Sequence, residues 1–179
     1  MVSECYLPEQ VFNCDEVGLF WKKIPKRTYI TEEEKAVPRH KPMKDHLTFL
    51  FCANVSGDFK AKPPLVYHSE NPRAFKKCKV QKSQLNVMWR SNSKAWVTRI
   101  LFVEWINEAF GPAVKKSLLG KSLPLKALLL MDNAPVHPPG FEDDLLEEFE
   151  STKVKFLPPN TTPILQPMDQ QVILNFKKL

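Results

Sequence analysis

Cysteine is scarce in this sequence and never occurs in closely spaced pairs. Four cysteines are present, at Cys5, Cys14, Cys52 and Cys78. They form no Cys-x-x-Cys motif, which argues against a structural zinc site and favours buried or reduced thiols. The four histidines are equally scattered. Because soft ligands are so few, any metal ion that this chain binds is expected to have oxygen ligands.

Long hydrophobic runs are also absent from the sequence. No apolar stretch approaches the roughly 18 residues that a membrane span requires. The first residues, Met1 to Cys5, lack the basic and apolar regions of a signal peptide. We therefore expect an intracellular protein with no membrane partner. At 179 residues, with 43% hydrophobic and 26% charged residues, the chain is predicted to form one globular domain.

The charge is unbalanced towards basic residues. The formal net charge is +6, and the isoelectric point of about 9.1 points to a polyanionic partner. Residues 73–82 carry five basic side chains and no acidic one, at Arg73, Lys76, Lys77, Lys79 and Lys82. Such a run is compatible with a solvated surface as well as with DNA contact by Arg73, Lys76 and Lys77, and both interpretations remain open here.

The order of predicted elements is β-β-β-α-β-α-β-α. Apolar periodicity and turn residues predict strands at 11–14, 47–54, 63–68, 125–131 and 154–157. They predict helices at 93–110, which Gly111 and Pro112 should end, at 141–149, and from about Pro167 onwards. This order indicates an α/β protein with a mixed five-stranded sheet flanked by helices. Trp96 and Trp105 are predicted to be core residues, whereas Trp21 and Trp89, near basic residues, are candidates for nucleic-acid contact.

Three aspartates occupy distinctive positions relative to these elements. Asp15 follows the first predicted strand, Asp132 ends the apolar run of residues 125–131, and Asp169 precedes the last helix. Carboxylates at two strand ends and one helix start could form a cage of oxygen ligands for two Mg²⁺ or Mn²⁺ ions, the arrangement that cuts or joins phosphodiesters. Taken singly, each aspartate has a simpler interpretation: a turn, a loop after a strand, or a favourable charge at a helix N-terminus.

The sequence around the aspartates resembles a known family. The stretches NCDEVGLFWK (13–22), LLMDNAPVHP (129–138) and LPPNTTPILQPMDQ (157–170) are similar to the DDE superfamily endonuclease domain of Tigger/pogo transposases. Residues 50–58, 65–74 and 92–98 extend the similarity, in order, over nearly the whole chain. The resemblance implies an RNase H-like fold in which the strands that carry Asp15 and Asp132 are neighbours and Asp169 closes the site.

The resemblance also implies roles for individual residues. Asp15, Asp132 and Asp169 would be the catalytic residues and would hold Mg²⁺ or Mn²⁺, two ions in an active site. Beside these residues, Asn133 could orient water or a phosphate. His137 could contact the scissile phosphate or transfer a proton, and a loop histidine at the surface is an equally open interpretation. Gln166 and Gln170, on either side of Asp169, could support the metal ligands or contact DNA.

The chain departs from the family pattern at three positions. Val17 stands where the family usually has threonine, Gln171 where it usually has glycine after the final Asp-Gln pair, and His46 where an arginine is common. A glycine permits close backbone approach, so Gln171 could crowd the path of DNA. The family's N-terminal helix-turn-helix domains are absent from residues 1–179, and the chain ends soon after Asp169, so we expect a single C-terminally truncated domain.

These observations predict a transposase-derived, nuclear, DNA-binding domain with a two-metal endonuclease or strand-transfer site. The alternative is a nuclear domain that binds DNA or another protein without catalysis. DNA is the expected partner, and the sequence leaves open whether the chain forms a homodimer. An intact aspartate triad favours catalysis, whereas the changes at Val17 and Gln171 favour the alternative.

Overall fold

One mixed sheet organises the part of the chain that the computed structural model describes, residues 5–21, 45–132, 152–158 and 161–178. The strands are β1 (Val11–Leu19), β2 (Leu47–Asn54), β3 (Pro64–Tyr67), β4 (Met88–Ser91), β5 (Ala127–Met131) and β6 (Thr152–Phe156). The helices are α1 (Arg73–Cys78), α2 (Arg99–Trp105), α3 (Gly111–Gly120), α4 (Thr162–Leu165) and α5 (Ile173–Lys178). The strands lie in the order β4-β3-β2-β1-β5-β6. The predicted α/β class with a mixed sheet is therefore confirmed.

The sheet has six strands, so the prediction of five was wrong. The additional strand is β4, which pairs in parallel with β3. It is only four residues long, and its first two residues are buried while Arg90 and Ser91 are half-buried. A strand this short shows no clear alternation of apolar and polar residues, which is why periodicity did not reveal it.

Strand β1 is longer than predicted. It runs from Val11 to Leu19 and pairs with β2 in antiparallel register from Phe12 opposite Asn54 to Leu19 opposite Leu47. Asp15 therefore lies within a strand and does not start a turn. The polar residues in the middle of β1 masked its length, because they break the apolar pattern on which the prediction relied.

The two faces of the sheet pack against different parts of the chain. On one face, Phe12, Leu50 and Leu129 contact a core that includes Trp105 and Phe110. On the other face, Val17 packs with Met168 and Ile173 from the C-terminal segment, residues 166–178. Because side chains alternate between faces along a strand, Asp15 lies on the same face as Val17.

The central helix begins later and ends later than predicted. Thr98 caps its N-terminus, since its hydroxyl oxygen accepts a hydrogen bond from the backbone N–H of Leu101 at 3.4 Å. The helix passes through a π turn at Ile106–Phe110 and continues as α3 to Gly120, so Gly111 and Pro112 do not end it. The wider π turn just before Pro112 accommodates a residue that has no N–H to donate.

Two further predictions about the helical regions were wrong, and one predicted helix lies outside the described residues. Trp105 is fully buried, as predicted for a core residue, but Trp96 precedes the helix and is 49% exposed. The last helix does not run straight from Pro167, because the backbone at Gln170 and Gln171 is not helical and forms a kink before α5. The predicted helix at 141–149 lies outside the described residues. None of the described helices is long and apolar enough to cross a membrane.

Candidate carboxylate site

Asp15 lies in β1, and Asp132 directly follows β5, the strand beside it. Strands β1 and β5 are parallel neighbours, and Asn13 lies opposite Leu130. Asp15 and Asp132 are each two residues further along, Asp15 within β1 and Asp132 directly after the last residue of β5. Adjacent strands are about 4.8 Å apart. The neighbouring strands implied by the family resemblance are therefore present.

A buried hydrogen-bond network fixes the C-terminal segment against the sheet face that carries Asp15. The side-chain nitrogen of Asn13 donates to the carbonyl of Leu130 at 3.0 Å, and its oxygen accepts from the backbone N–H of Met168 at 3.0 Å. Gln166, fully buried, donates to the carbonyl of Cys14 at 3.3 Å. The side chains of Asn13 and Gln166 also meet at 3.5 Å. This network holds the backbone immediately before Asp169 beside β1.

The electrostatics of Asp15 show that the other two aspartates are close. Burial, together with the negative charges of Asp169 and Asp132, raises the pKa of Asp15 from 3.8 to about 7. Hydrogen bonds from the backbone N–H of Glu16, at 2.8 Å, and from the side chain of Gln166 oppose this increase in the pKa. The charges of Asp132 and Asp169, from distant parts of the sequence, thus act on Asp15.

The chemistry of this cluster fits a hard divalent cation, because all three donors are carboxylate oxygens. Within residues 5–21, 45–132, 152–158 and 161–178, however, no three carboxylate, histidine or cysteine side chains lie close enough to hold one metal ion. Asp169, which is exposed, lies directly before the kink formed by Gln170 and Gln171. Metal binding would therefore require the three carboxylates to move closer together.

The other predicted site residues lie in several places. Gln166 belongs to the buried network, whereas the side chain of Gln170 donates to the carbonyl of Ile164 at 3.2 Å. Asn133 and His137 lie outside the described residues. The basic residues Arg73, Lys76 and Lys77 are exposed on α1, which packs through Phe75 on Trp89 of β4. Strand β4 is three positions from β1 in the sheet, so these basic residues are not part of the carboxylate site.

Two features of the site were not evident from the sequence. The first is the positioning role of Asn13, for which the only signal was that it shares a strand face with Asp15. The second is the backbone of Gln171, whose φ of 74° lies in the left-handed region. Glycine adopts this conformation without steric cost, which accounts for the glycine that the family resemblance leads one to expect at this position.

Comparison with known proteins identifies relatives over nearly the whole chain. The sequence profile of the DDE superfamily endonuclease family matches residues 44–179. The chain is 34% identical over 174 residues to human Tigger transposable element-derived protein 7, covering 95% of this chain and 31% of that protein. It is 37% identical to human Jerky protein homolog, over 95% of this chain and 29% of that protein. It is 31% identical to CENP-B homolog protein 2 of Schizosaccharomyces pombe, over 95% of this chain and 31% of that protein. The chain thus spans about a third of the length of these curated relatives.

Solved structures share the fold. A pre-cleavage Mos1 transpososome matches 95% of this chain and 42% of the Mos1 chain with a TM-score of 0.54 and 15% identity. A Mos1 mariner paired end complex with Mn matches 96% of this chain and 42% of the Mos1 chain, with a TM-score of 0.53 and 16% identity. The RNase H-like architecture implied by the sequence is therefore confirmed.

Proposed function

The chain belongs to the DDE superfamily endonuclease family, and from that membership we propose that it is a transposase-derived DNA-binding domain with a two-metal site for cutting or joining DNA strands. The metal ligands in this proposal are Asp15, Asp132 and Asp169, and the ions are Mg²⁺ or Mn²⁺. The observation that carries the proposal is the parallel pairing of β1 with β5, in which Asn13 lies opposite Leu130, each two residues before one of the two aspartates, Asp15 and Asp132.

The proposed chemistry follows from this placement. When bound, two divalent cations activate the attacking water or hydroxyl group and neutralise the leaving oxygen of the phosphodiester. Asp15, Asp132 and Asp169 would hold these ions through their carboxylate oxygens. Asn13 and Gln166 position Asp169 through the backbone that they hold.

DNA is the proposed partner, and the nucleus is the proposed location. The names of two relatives refer to a transposable element and to CENP-B. The Mos1 complexes that share the fold include a transpososome and a paired end complex with Mn. The basic net charge of +6 agrees with a polyanionic partner. We also propose that residues 1–179 act as a single domain.

A specific observation favours a second candidate function, DNA binding without catalysis. The described carboxylates do not reach a common metal-binding distance, and Gln171 occupies a left-handed position next to the site. A domain that had lost selection for cleavage would tolerate both features while retaining its fold and its basic surface.

A plasmid-nicking assay in Mn²⁺ distinguishes the two functions. We expect the wild-type chain to convert supercoiled plasmid to open circles, and we expect Asp132→Asn to abolish this activity while changing DNA affinity by less than about twofold. The matched control is Glu108→Gln. Glu108 lies in the central helix, which packs on the opposite face of the sheet. Its exposed pairing with Arg90 contributes little to stability, so nicking should persist.

The contrary outcomes are equally specific. Nicking by Asp132→Asn at the wild-type rate would exclude this residue from the site. Absence of nicking by a folded wild-type chain that binds DNA would support the non-catalytic function instead.

A further inference from the structure

A groove with a volume of about 920 Å³ opens on the sheet face that carries the carboxylates. It extends over β2, β3 and β4 as far as α1. Five aromatic side chains line it, at Trp21, Phe49, Tyr67, Phe75 and Trp89, and we call it the aromatic groove. Phe49 also contacts Phe176 of α5, with ring centroids 5.6 Å apart. The aromatic groove therefore begins where α5 stops covering the sheet.

The floor of the aromatic groove is built from fixed rings. The indole nitrogen of Trp89 donates to the carbonyl of Glu70 at 3.2 Å. The Trp89 ring lies 4.6 Å from Phe75 and 6.1 Å from Tyr67, measured between centroids. Trp21, in contrast, stands at the rim and is 52% exposed. Tyr67 and Trp89 are each only 9% exposed, so the rings that a flat base can reach are the half-buried Phe49 and Phe75 and the exposed Trp21.

The charges around the aromatic groove favour an anionic occupant. Arg73 and Lys76 of α1 line it. Asp45 is the one carboxylate among the described lining residues. It accepts a hydrogen bond from the Tyr67 hydroxyl at 3.4 Å, and its other oxygen lies 3.2 Å from Nδ1 of His68. Among the described residues no carboxylate pairs with Arg73 or Lys76. Both cations are therefore available to contact phosphate groups.

We propose that the aromatic groove binds unpaired nucleotides of single-stranded DNA, with bases stacked on its rings and phosphates on Arg73 and Lys76. A duplex keeps its bases stacked on one another and presents mainly phosphates, so it cannot use the aromatic floor. An apolar peptide would use the floor but would leave the two cations without partners. Binding here rests on the proposed DNA-binding function and is independent of the metal site.

Fluorescence anisotropy in EDTA tests the proposal, with a labelled 15-nucleotide oligo-dT and a labelled 15-base-pair duplex as probes. The wild-type chain should bind the single strand more tightly than the duplex. Trp21→Ala should weaken single-strand binding about tenfold, because it removes one stacking ring. Its matched control is Trp96→Ala, a tryptophan of similar exposure, 49%, that does not line the groove and should leave the affinity unchanged.

Charge reversal tests the phosphate contacts separately. Arg73→Glu should weaken single-strand binding and reduce the slope of log K against log salt by about 0.7, the value for one phosphate contact on a single strand. The control Lys116→Glu places the same change on α3, which packs on the other face of the sheet, and should have little effect on either quantity.

The outcomes separate this proposal from the proposed metal site. Asp132→Asn should bind oligo-dT like the wild type. A folded wild-type chain that prefers the single strand but does not nick plasmid would refute the metal site alone. Equal binding of single strand and duplex, or an unchanged affinity in Trp21→Ala, would overturn the aromatic groove as a single-strand site. A loss in Arg73→Glu alone would also overturn it, because base stacking would then be absent.

Discussion

Gln171 occupies a backbone conformation that costs free energy for any residue other than glycine. Its φ is 74°, and the left-handed region costs an L-residue roughly 1–2 kcal/mol. We predict that Gln171→Gly stabilises the chain by about 1 kcal/mol, since the greater entropy of unfolded glycine offsets part of the gain. Thermal unfolding should show an increase in Tm of about 2–4 °C.

The matched control for this prediction is Gln171→Ala. Alanine removes most of the side chain but keeps the Cβ atom, so the steric cost of the left-handed conformation remains. If alanine and glycine raise the Tm equally, the cost belongs to the glutamine side chain and not to the backbone.

Asp15 makes the stability of the metal-free chain depend on pH. Its pKa is raised from 3.8 to about 7 in the folded state, mainly by burial and by the charge of Asp169. The fold therefore favours the protonated form, and this contribution is fully present below about pH 4 and is lost as the pH rises through 7. The loss is at most about 4 kcal/mol and smaller after solvent screening of this half-buried group.

We therefore predict that Asp15→Asn is more stable than the wild type at pH 8 in EDTA, and that the difference shrinks towards pH 4. Urea unfolding at a series of pH values measures this difference. A pH-independent difference between the two chains would show that the ionisation of Asp15 is not its cause.

At the scale of elements, the C-terminal segment depends on Asn13 for its position. Asn13→Ala leaves the Leu130 carbonyl and the Met168 N–H without the partners that they have in the wild type. Each buried unsatisfied group costs about 1–3 kcal/mol, so we predict a loss of roughly 2–4 kcal/mol. Hydrogen exchange should accelerate first in residues 168–176, because these amides lie in the segment that the network holds.

Thr48→Val is the control for Asn13→Ala. Thr48 is equally buried in the sheet, but its hydroxyl has no hydrogen-bond partner among the described residues. Thr48→Val should therefore change stability by less than about 1 kcal/mol and leave exchange in residues 168–176 unaltered. A comparable acceleration in both variants would mean that the sheet, and not the Asn13 network, controls the segment.

At the scale of the whole molecule, the proposed metal site joins three distant parts of the chain. A cation bound to Asp15, Asp132 and Asp169 would link β1, the end of β5 and the C-terminal segment. We predict that Mn²⁺ at about 100 times its Kd stabilises the fold by roughly 2.7 kcal/mol, which corresponds to an increase in Tm of about 5–11 °C.

This stabilisation should vanish in Asp15→Asn and persist in Glu108→Gln. Differential scanning fluorimetry with and without Mn²⁺ measures both variants. An equal response to Mn²⁺ in the wild type and Asp15→Asn would place the bound cation elsewhere in the molecule.

The sequence allowed much of the element order to be predicted, and the structure explains where it failed. The strongly apolar residues 125–131 and the alternating residues 47–54 were recognised because burial dictates their composition. The length of β1 was not, because Asn13, Asp15 and Glu16 are polar residues inside a strand. The continuation of the central helix past Pro112 depends on a π turn, which no local propensity indicates.

Function shows the same distinction between what the sequence predicts and what only the structure reveals. The sequence by itself determined the three aspartates, their oxygen-donor chemistry and the family to which the chain belongs, because these depend on residue identity in local motifs. Tertiary structure decided that the strand of Asp15 pairs with the strand that leads to Asp132. It also decided that Asn13 and Gln166 position the segment before Asp169, and that Trp21 and Trp89 lie in one groove with Arg73 and Lys76. These relations arise from the pairing of strands far apart in sequence, and strand register is set by packing across the whole sheet.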